Sequence, residues 1–181
     1  MFYGFPLTYA AAVVNFVLTL YTEFIAHERV VCFKMTDRKE AARDYYLKGY
    51  NCAQAVAAAF ADLTGLDELT VLKMASSFGG GVGHMKEVCG VISGMALIAG
   101  LLYGDIDPKD KATKDAHYAR VQSFALPFKD RFGTLICRDL LALNEQNPSS
   151  DEPYASKPCL KYVENAAEIF DGWLKEQSQP L

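Results

Sequence analysis

The sequence has no Cys-x-x-Cys pair, no cluster of basic residues and no run that alternates like a β-strand. Its 18 Lys and Arg residues are outnumbered by 22 Asp and Glu residues, and they are scattered along the chain. Because nucleic-acid binding depends on clustered positive charge, we predict no nucleic-acid partner. The five cysteines lack the close spacing of a small secreted disulfide framework. We therefore predict reduced thiols and a cytoplasmic location.

Apolar residues at helical spacing, with no strand pattern, predict an all-α fold. A chain of 181 residues with 51% hydrophobic residues is long enough to bury a core. Glycine, proline and polar clusters separate the helical segments, so we predict a compact helical bundle of about five to six helices. The predicted segments are 39–48, 52–63, 68–77, 88–103, 111–129 and 160–175, with a long polar loop at 144–158.

Residues 1–34 differ from the rest of the chain, because residues 2–24 are almost continuously apolar and no Lys or Arg precedes Arg29. The charged start of a signal peptide is therefore missing. Three interpretations stay open: a membrane anchor, an extra helix that covers the core or a partner, and a stretch translated from upstream of the true start at Met35. We predict that this extension lies outside the domain, that residues 35–181 form a four-cysteine helical redox domain, and that Cys32 has no function.

Four cysteines stand where helices are predicted to begin: Cys52, Cys89, Cys137 and Cys159. A helix start presents free backbone N–H groups and the positive end of the helix dipole, which favour an ionised thiol. Thiolates bind metals and attack disulfides. This placement therefore indicates redox or metal chemistry carried by cysteine.

Glycines lie on both sides of Cys89 and would let a bulky group approach the backbone. A glycine-rich loop precedes Cys89, and Gly90 follows that cysteine at the start of a predicted buried helix. Gly94 lies one turn further along, where either a neighbouring helix or an inorganic group could come close. The candidate cofactor-binding glycines are Gly80, Gly81, Gly83 and Gly90.

Together these motifs resemble the C_GCAxxG_C_C family of redox-active proteins. The resemblance rests on GYNCAQAV at 49–56, FGGGVG at 78–83, CGVISG at 89–94, CRDLL at 137–141 and Cys159, and it covers residues 39 to about 175. It implies a bacterial or archaeal origin, a helical fold and four functional cysteines. The family is also similar to the cysteine-bearing part of split-Soret cytochromes, where cysteines hold an iron–sulfur centre, and it suggests a homodimer. Val91 departs from the pattern, which usually has the smaller Ala.

Two hypotheses compete for the same cysteines, and they leave open whether the protein is an enzyme. In the first, Cys52, Cys89, Cys137 and Cys159 converge and bind an iron–sulfur cluster or, alternatively, zinc, for electron transfer or redox sensing. In the second, Cys52 and Cys89 form a dithiol pair that cycles through a disulfide. The expected partner is a redox protein or a small thiol or disulfide. A third interpretation is that the cysteines pack as small apolar residues.

Two further residues near the cysteines are candidates for a supporting role. His84 follows the glycine-rich loop and could act as a ligand or a proton donor beside Cys89. Arg138 could lower the pKa of Cys137 or form an ion pair with Asp139. No Cys-x-x-Cys-His motif is present, so covalently bound haem is not expected.

Overall fold

Seven α-helices build the part of the chain that the computed structural model describes, residues 37–104 and 106–177. Two short 3₁₀ turns, at Ala61–Leu63 and Ser76–Phe78, extend the second and third helices. The helices are α1 (Arg38–Leu47), α2 (Cys52–Ala58), α3 (Glu68–Ala75), α4 (Gly90–Tyr103), α5 (Lys111–Phe132), α6 (Cys137–Gln146) and α7 (Leu160–Gln177).

The all-α prediction is confirmed, whereas the predicted number of helices is one too low. In the described residues the only β-type pairing is an isolated antiparallel bridge between Val88 and Ile136. The helix missing from the predicted segments is α6, although its start at Cys137 was predicted, and its last turn fell within the predicted loop at 144–158. Three of its residues are buried, namely Cys137, Leu140 and Asn144. Asn144 donates to the carbonyl of Pro158 at 2.9 Å, which ties this turn to the segment before α7.

Side-chain caps define where the first two helices begin. The Asp37 carboxylate accepts hydrogen bonds from the backbone N–H groups of Lys39 and Glu40 at the start of α1. Asn51 and Gln54 form a reciprocal capping box at the start of α2. Because a capping box satisfies free N–H groups at both residues, the first position of α2 is fixed by the local sequence.

Helix α2 lies at the centre of the bundle and packs against α1, α3, α4 and α7. Its residues are small, and six of its seven positions are buried. The closest approach is to α4, where a Cβ added at Gly94 would lie 2.7 Å from the carbonyl oxygen of Ala53. The predicted close packing at Gly94 is therefore a helix–helix contact.

Aromatic side chains fill the part of the core between α5 and α7. Phe170 contacts Phe60, Phe124 and Trp173, with ring centroids 5.0–5.4 Å apart. Trp173 is 6% exposed, as expected for a core residue of the last helix. Burial of such rings contributes most of the hydrophobic stabilisation in a core of this size.

The predictions for the N-terminal segment concern residues outside the described part of the chain. They cover residues 1–34, the start at Met35 and the lack of function of Cys32. Among the helices that are described, none has both the length and the apolar character needed to cross a membrane.

We expect Gly94→Ala to destabilise the fold and Gly100→Ala in the same helix to stabilise it. The added methyl at Gly94 would meet the Ala53 carbonyl, and overpacking of this kind costs about 1–3 kcal/mol. At Gly100 nothing lies within 4 Å of the added methyl, so alanine should raise stability by roughly 0.5–1 kcal/mol. Urea unfolding of both variants checks this. Equal stability of the two variants would contradict the close contact between α2 and α4.

Candidate functional site

Each of the four cysteines lies at the start of a helix, as the sequence predicts. Cys52 is the first residue of α2 and Cys137 is the first residue of α6. Cys89 is the N-cap of α4, and Cys159 directly precedes α7, where its carbonyl accepts from the N–H of Val163 at 3.1 Å.

The fold brings all four of these cysteines to one pocket with a volume of about 300 Å³. Cys52, Cys89 and Cys137 are 5–7% exposed, and Cys159 is half-buried. All four are free thiols. The predicted convergence of the four cysteines is therefore present, although no two of them are close in sequence.

Backbone hydrogen bonds between two segments hold Cys89 and Cys137 near each other. The N–H of Cys89 donates to the carbonyl of Leu135 at 2.8 Å, and the N–H of Cys137 donates to the carbonyl of Glu87 at 2.6 Å. The bridge between Val88 and Ile136 lies between these bonds. Two of the four helix starts are thus fixed by the same short piece of antiparallel pairing.

Glycines let two cysteine side chains approach the backbone closely. A Cβ added at Gly90 would lie 2.5 Å from Cys52 Sγ, and one added at Gly81 would lie 2.7 Å from Cys137 Cβ. Of the other predicted glycines, Gly80 lines the pocket, and Gly83 has nothing within 4 Å of an added Cβ. Gly81 and Gly90 therefore give space to cysteines, and a role for any of the four in binding a cofactor stays a prediction.

The glycine-rich loop has a left-handed backbone from Gly80 to His84. All five residues have φ between +55° and +71°, including the non-glycine residues Val82 and His84. Its ends are closed by hydrogen bonds from the N–H of Gly83 to Ser77 and from the N–H of Lys86 to Gly80. Left-handed conformations of non-glycine residues are costly and concentrate at functional sites. Their presence beside the cysteines agrees with a functional loop.

The segment before Cys159 is anchored by a charged cluster. Tyr154 donates a hydrogen bond to Glu164 at 2.8 Å and accepts one from Arg43 at 3.0 Å. Arg43 also donates to Glu164, which is only 5% exposed. Because a buried carboxylate needs such partners, the cluster ties the segment to α1 and α7. Cys159 is consequently held at the pocket.

Burial changes the protonation expected for these thiols. It is the largest cause that raises the pKa of Cys89, Cys137 and Cys159, and it raises the pKa of Cys159 to about 11. The neighbouring Cys52 raises all three further. The expectation that a helix start would ionise these three thiols is therefore wrong for the protein without bound metal. Desolvation outweighs the favourable N–H groups.

Two residues partly oppose this effect on Cys159. The Tyr46 hydroxyl hydrogen bonds to the Cys159 thiol, and both this bond and the charge of Lys86 lower the pKa of Cys159. Tyr46 and Lys86 also line the pocket, together with Lys157 and Tyr162. These four residues are not among those that the sequence predicts for the site. Only the position of Lys157, two residues before Cys159, gave a local signal.

The two supporting residues predicted from the sequence lie at the edge of the site. His84 lines the pocket and is exposed. Arg138 forms its ion pair with Glu87 at 2.7 Å, not with Asp139. Asp139 instead accepts a hydrogen bond from Thr134. Arg138 points to Glu87 because its own backbone N–H is bound to the adjacent Lys86 carbonyl.

The donor set suits iron–sulfur ligation by its chemistry, since four thiols line one pocket. A single zinc ion would need its sulfur ligands about 2.3 Å from one point. Within residues 37–104 and 106–177, no group of three or more His, Cys, Asp or Glu side chains has the arrangement that would hold one metal ion.

The fold and the pocket define a helical protein with a four-cysteine site. Residues 50–173 match the family model described as "Putative redox-active protein (C_GCAxxG_C_C)", and the chain belongs to this family. No curated protein and no solved structure matches the chain.

We expect Cys159 in the folded, metal-free chain to react with iodoacetamide as a thiol of raised pKa. Only the thiolate reacts, so its rate at pH 7.5 should be low and should keep rising from pH 9 toward about 11. In the chain unfolded in urea the rate should level off above roughly pH 9.5, because an ordinary thiol has a pKa of about 8.5. Mass spectrometry of the labelled peptide measures both rates. A plateau for folded Cys159 below pH 8 would contradict the account.

Proposed function

We propose that Cys52, Cys89, Cys137 and Cys159 bind an iron–sulfur cluster through which the protein exchanges electrons with a redox partner protein. The observation that carries this proposal is the convergence of four free, largely buried thiols on one pocket. Membership of a family described as redox-active agrees with it. Free thiols also agree with a reducing compartment such as the cytoplasm.

The protonation of the pocket favours a metal centre over thiol chemistry. In the metal-free pocket burial keeps Cys89, Cys137 and Cys159 protonated near neutral pH, and protonated thiols are poor nucleophiles. A bound metal centre deprotonates the thiols that coordinate it. The same burial that suppresses attack on a disulfide is therefore compatible with ligation.

The helix starts would stabilise the site in its ligated form. Once the cysteines are thiolates, the positive ends of the helix dipoles of α2, α4, α6 and α7 would lie beside negative sulfur. The backbone N–H of Val91 already acts in this direction on Cys89. Hydrogen bonds to cluster sulfur and exclusion of water are the means by which a protein sets the potential of such a centre.

The size of the pocket favours a cluster over a single ion. A volume of about 300 Å³ lies at the lower end of the range for small-molecule sites. An iron–sulfur cluster contains several atoms, so its cysteine ligands can stand further apart than the ligands of one zinc ion. When bound, it supplies a one-electron carrier that the chain's own side chains do not provide.

A dithiol function of Cys52 and Cys89 is the second candidate. Cys52 Sγ lies against Gly90, the residue that follows Cys89, so these two cysteines are neighbours in the structure. In this function the pair would give two electrons and two protons to a disulfide substrate. The pair would become a disulfide and the substrate two thiols.

We expect the full chain, purified or reconstituted without oxygen, to contain iron and acid-labile sulfide and to show a broad visible absorption band. Cys89→Ser should lower the iron content by about tenfold or more, because a ligand is lost. Cys32→Ser serves as the matched control and should retain the iron of the unchanged chain. Elemental analysis and the absorption spectrum measure this.

A colourless, iron-free protein would contradict the proposed cluster. If mild oxidation of that protein forms a Cys52–Cys89 disulfide, mapped by mass spectrometry, the dithiol function is supported instead. Retention of iron in Cys89→Ser would instead show that the metal binds elsewhere.

A further inference from the structure

Two lysine side chains line the same pocket as the four cysteines. Lys86 comes from the segment after the left-handed loop, and Lys157 comes from the segment before Cys159. Both are half-buried. Neither takes part in any of the ion pairs found among the described residues. The pocket therefore holds positive charge that no carboxylate in residues 37–104 and 106–177 pairs with.

The backbone of Lys86 is fixed on both sides in a conformation that lysine rarely adopts. Its φ is +63°, its N–H donates to Gly80 at 3.1 Å, and its carbonyl accepts from the N–H of Arg138 at 3.1 Å. Glycine would occupy this conformation without strain. The left-handed turn therefore does not explain why residue 86 is a lysine, and a role of the lysine side chain does.

Lys157 is held by an aromatic neighbour of a site cysteine. Its ammonium nitrogen lies 5.7 Å from the centroid of the Tyr46 ring, and the Tyr46 hydroxyl hydrogen bonds to Cys159. A cation over an aromatic face is attracted to it. Lys157 is thus placed at the same side of the pocket as Cys159.

We propose that Lys86 and Lys157 are the counter-charges of the four-cysteine centre, with Lys86 positioned by the left-handed loop. This proposal deepens the proposed function and rests on it for the bound cluster. Four thiolates bring more negative charge into a largely buried pocket than helix starts alone offset, and buried charge is costly unless paired. Positive charge there also favours the reduced form of the centre, because reduction adds an electron. The two lysines therefore stabilise the thiolate form of the cysteines and raise the reduction potential of the centre.

The first test uses the metal-free, reduced full chain and two reagents that alkylate the same thiols. Iodoacetate is an anion and iodoacetamide is neutral. The iodoacetate rate divided by the iodoacetamide rate therefore reports the charge in the pocket independently of thiol ionisation. Lys86→Gln should lower this ratio at Cys159 by about threefold at low salt, the effect of one partly screened charge. Lys86→Arg should preserve the ratio, because it keeps the charge.

Lys73→Gln is the matched control, since Lys73 lies in the last turn of α3 and not at the pocket. It should leave the ratio unchanged, and urea unfolding confirms that each variant is folded. A ratio that is the same in Lys86→Gln and the unchanged chain would overturn the role of Lys86.

The second test measures the reduction potential of the iron-loaded chain. Lys86→Gln and Lys157→Gln should each shift it to lower values, whereas Lys73→Gln should not. An unchanged potential in both variants would overturn the counter-charge proposal. A chain that takes up no iron would refute the cluster, and the alkylation ratio would then decide the role of the lysine charge alone.

Discussion

The close contact between α2 and α4 is the constraint on which the rest of the site depends. Gly94 lets α4 approach the backbone of Ala53, and Gly90 leaves space for the sulfur of Cys52. A larger residue at either position would move the start of α4 away from the start of α2. Since Cys89 caps α4 and Cys52 begins α2, this contact determines whether two of the four sulfurs share a pocket. The antiparallel bridge then adds the start of α6 to the same place.

Burial and helix polarity act in opposite directions on the thiols, and burial is the stronger in the protein without metal. A pocket of this kind keeps its cysteines protonated until a cation takes the place of the protons. In the proposed function, the positive ends of four helix dipoles and the charges of Lys86 and Lys157, which line the pocket, would then lie near thiolates. On that proposal, the pocket suits a centre with negative sulfur better than it suits nucleophilic attack.

Local sequence determines much of this structure, and long-range packing determines the rest. The cap at Asn51 and the glycine breaks place the four cysteines at helix starts, which the sequence predicts. The pKa values could not be predicted in the same way, because they depend on burial by residues distant in the chain. The start of α6 at Cys137 was predicted, but its extent was not, because its buried face is short. The left-handed backbone at Val82 was missed because a β-branched residue rarely adopts positive φ. Lys86 carried no local signal, since its position follows from that loop.

The central claim is that the four cysteines act together as one metal-binding centre. A crystal structure of the anaerobically prepared full chain, with anomalous scattering recorded at the iron edge, tests it most directly. The account predicts one iron-containing site enclosed by the sulfurs of Cys52, Cys89, Cys137 and Cys159. Iron bound away from this pocket, or a pocket closed by a disulfide between Cys52 and Cys89 in protein never exposed to oxygen, would contradict it.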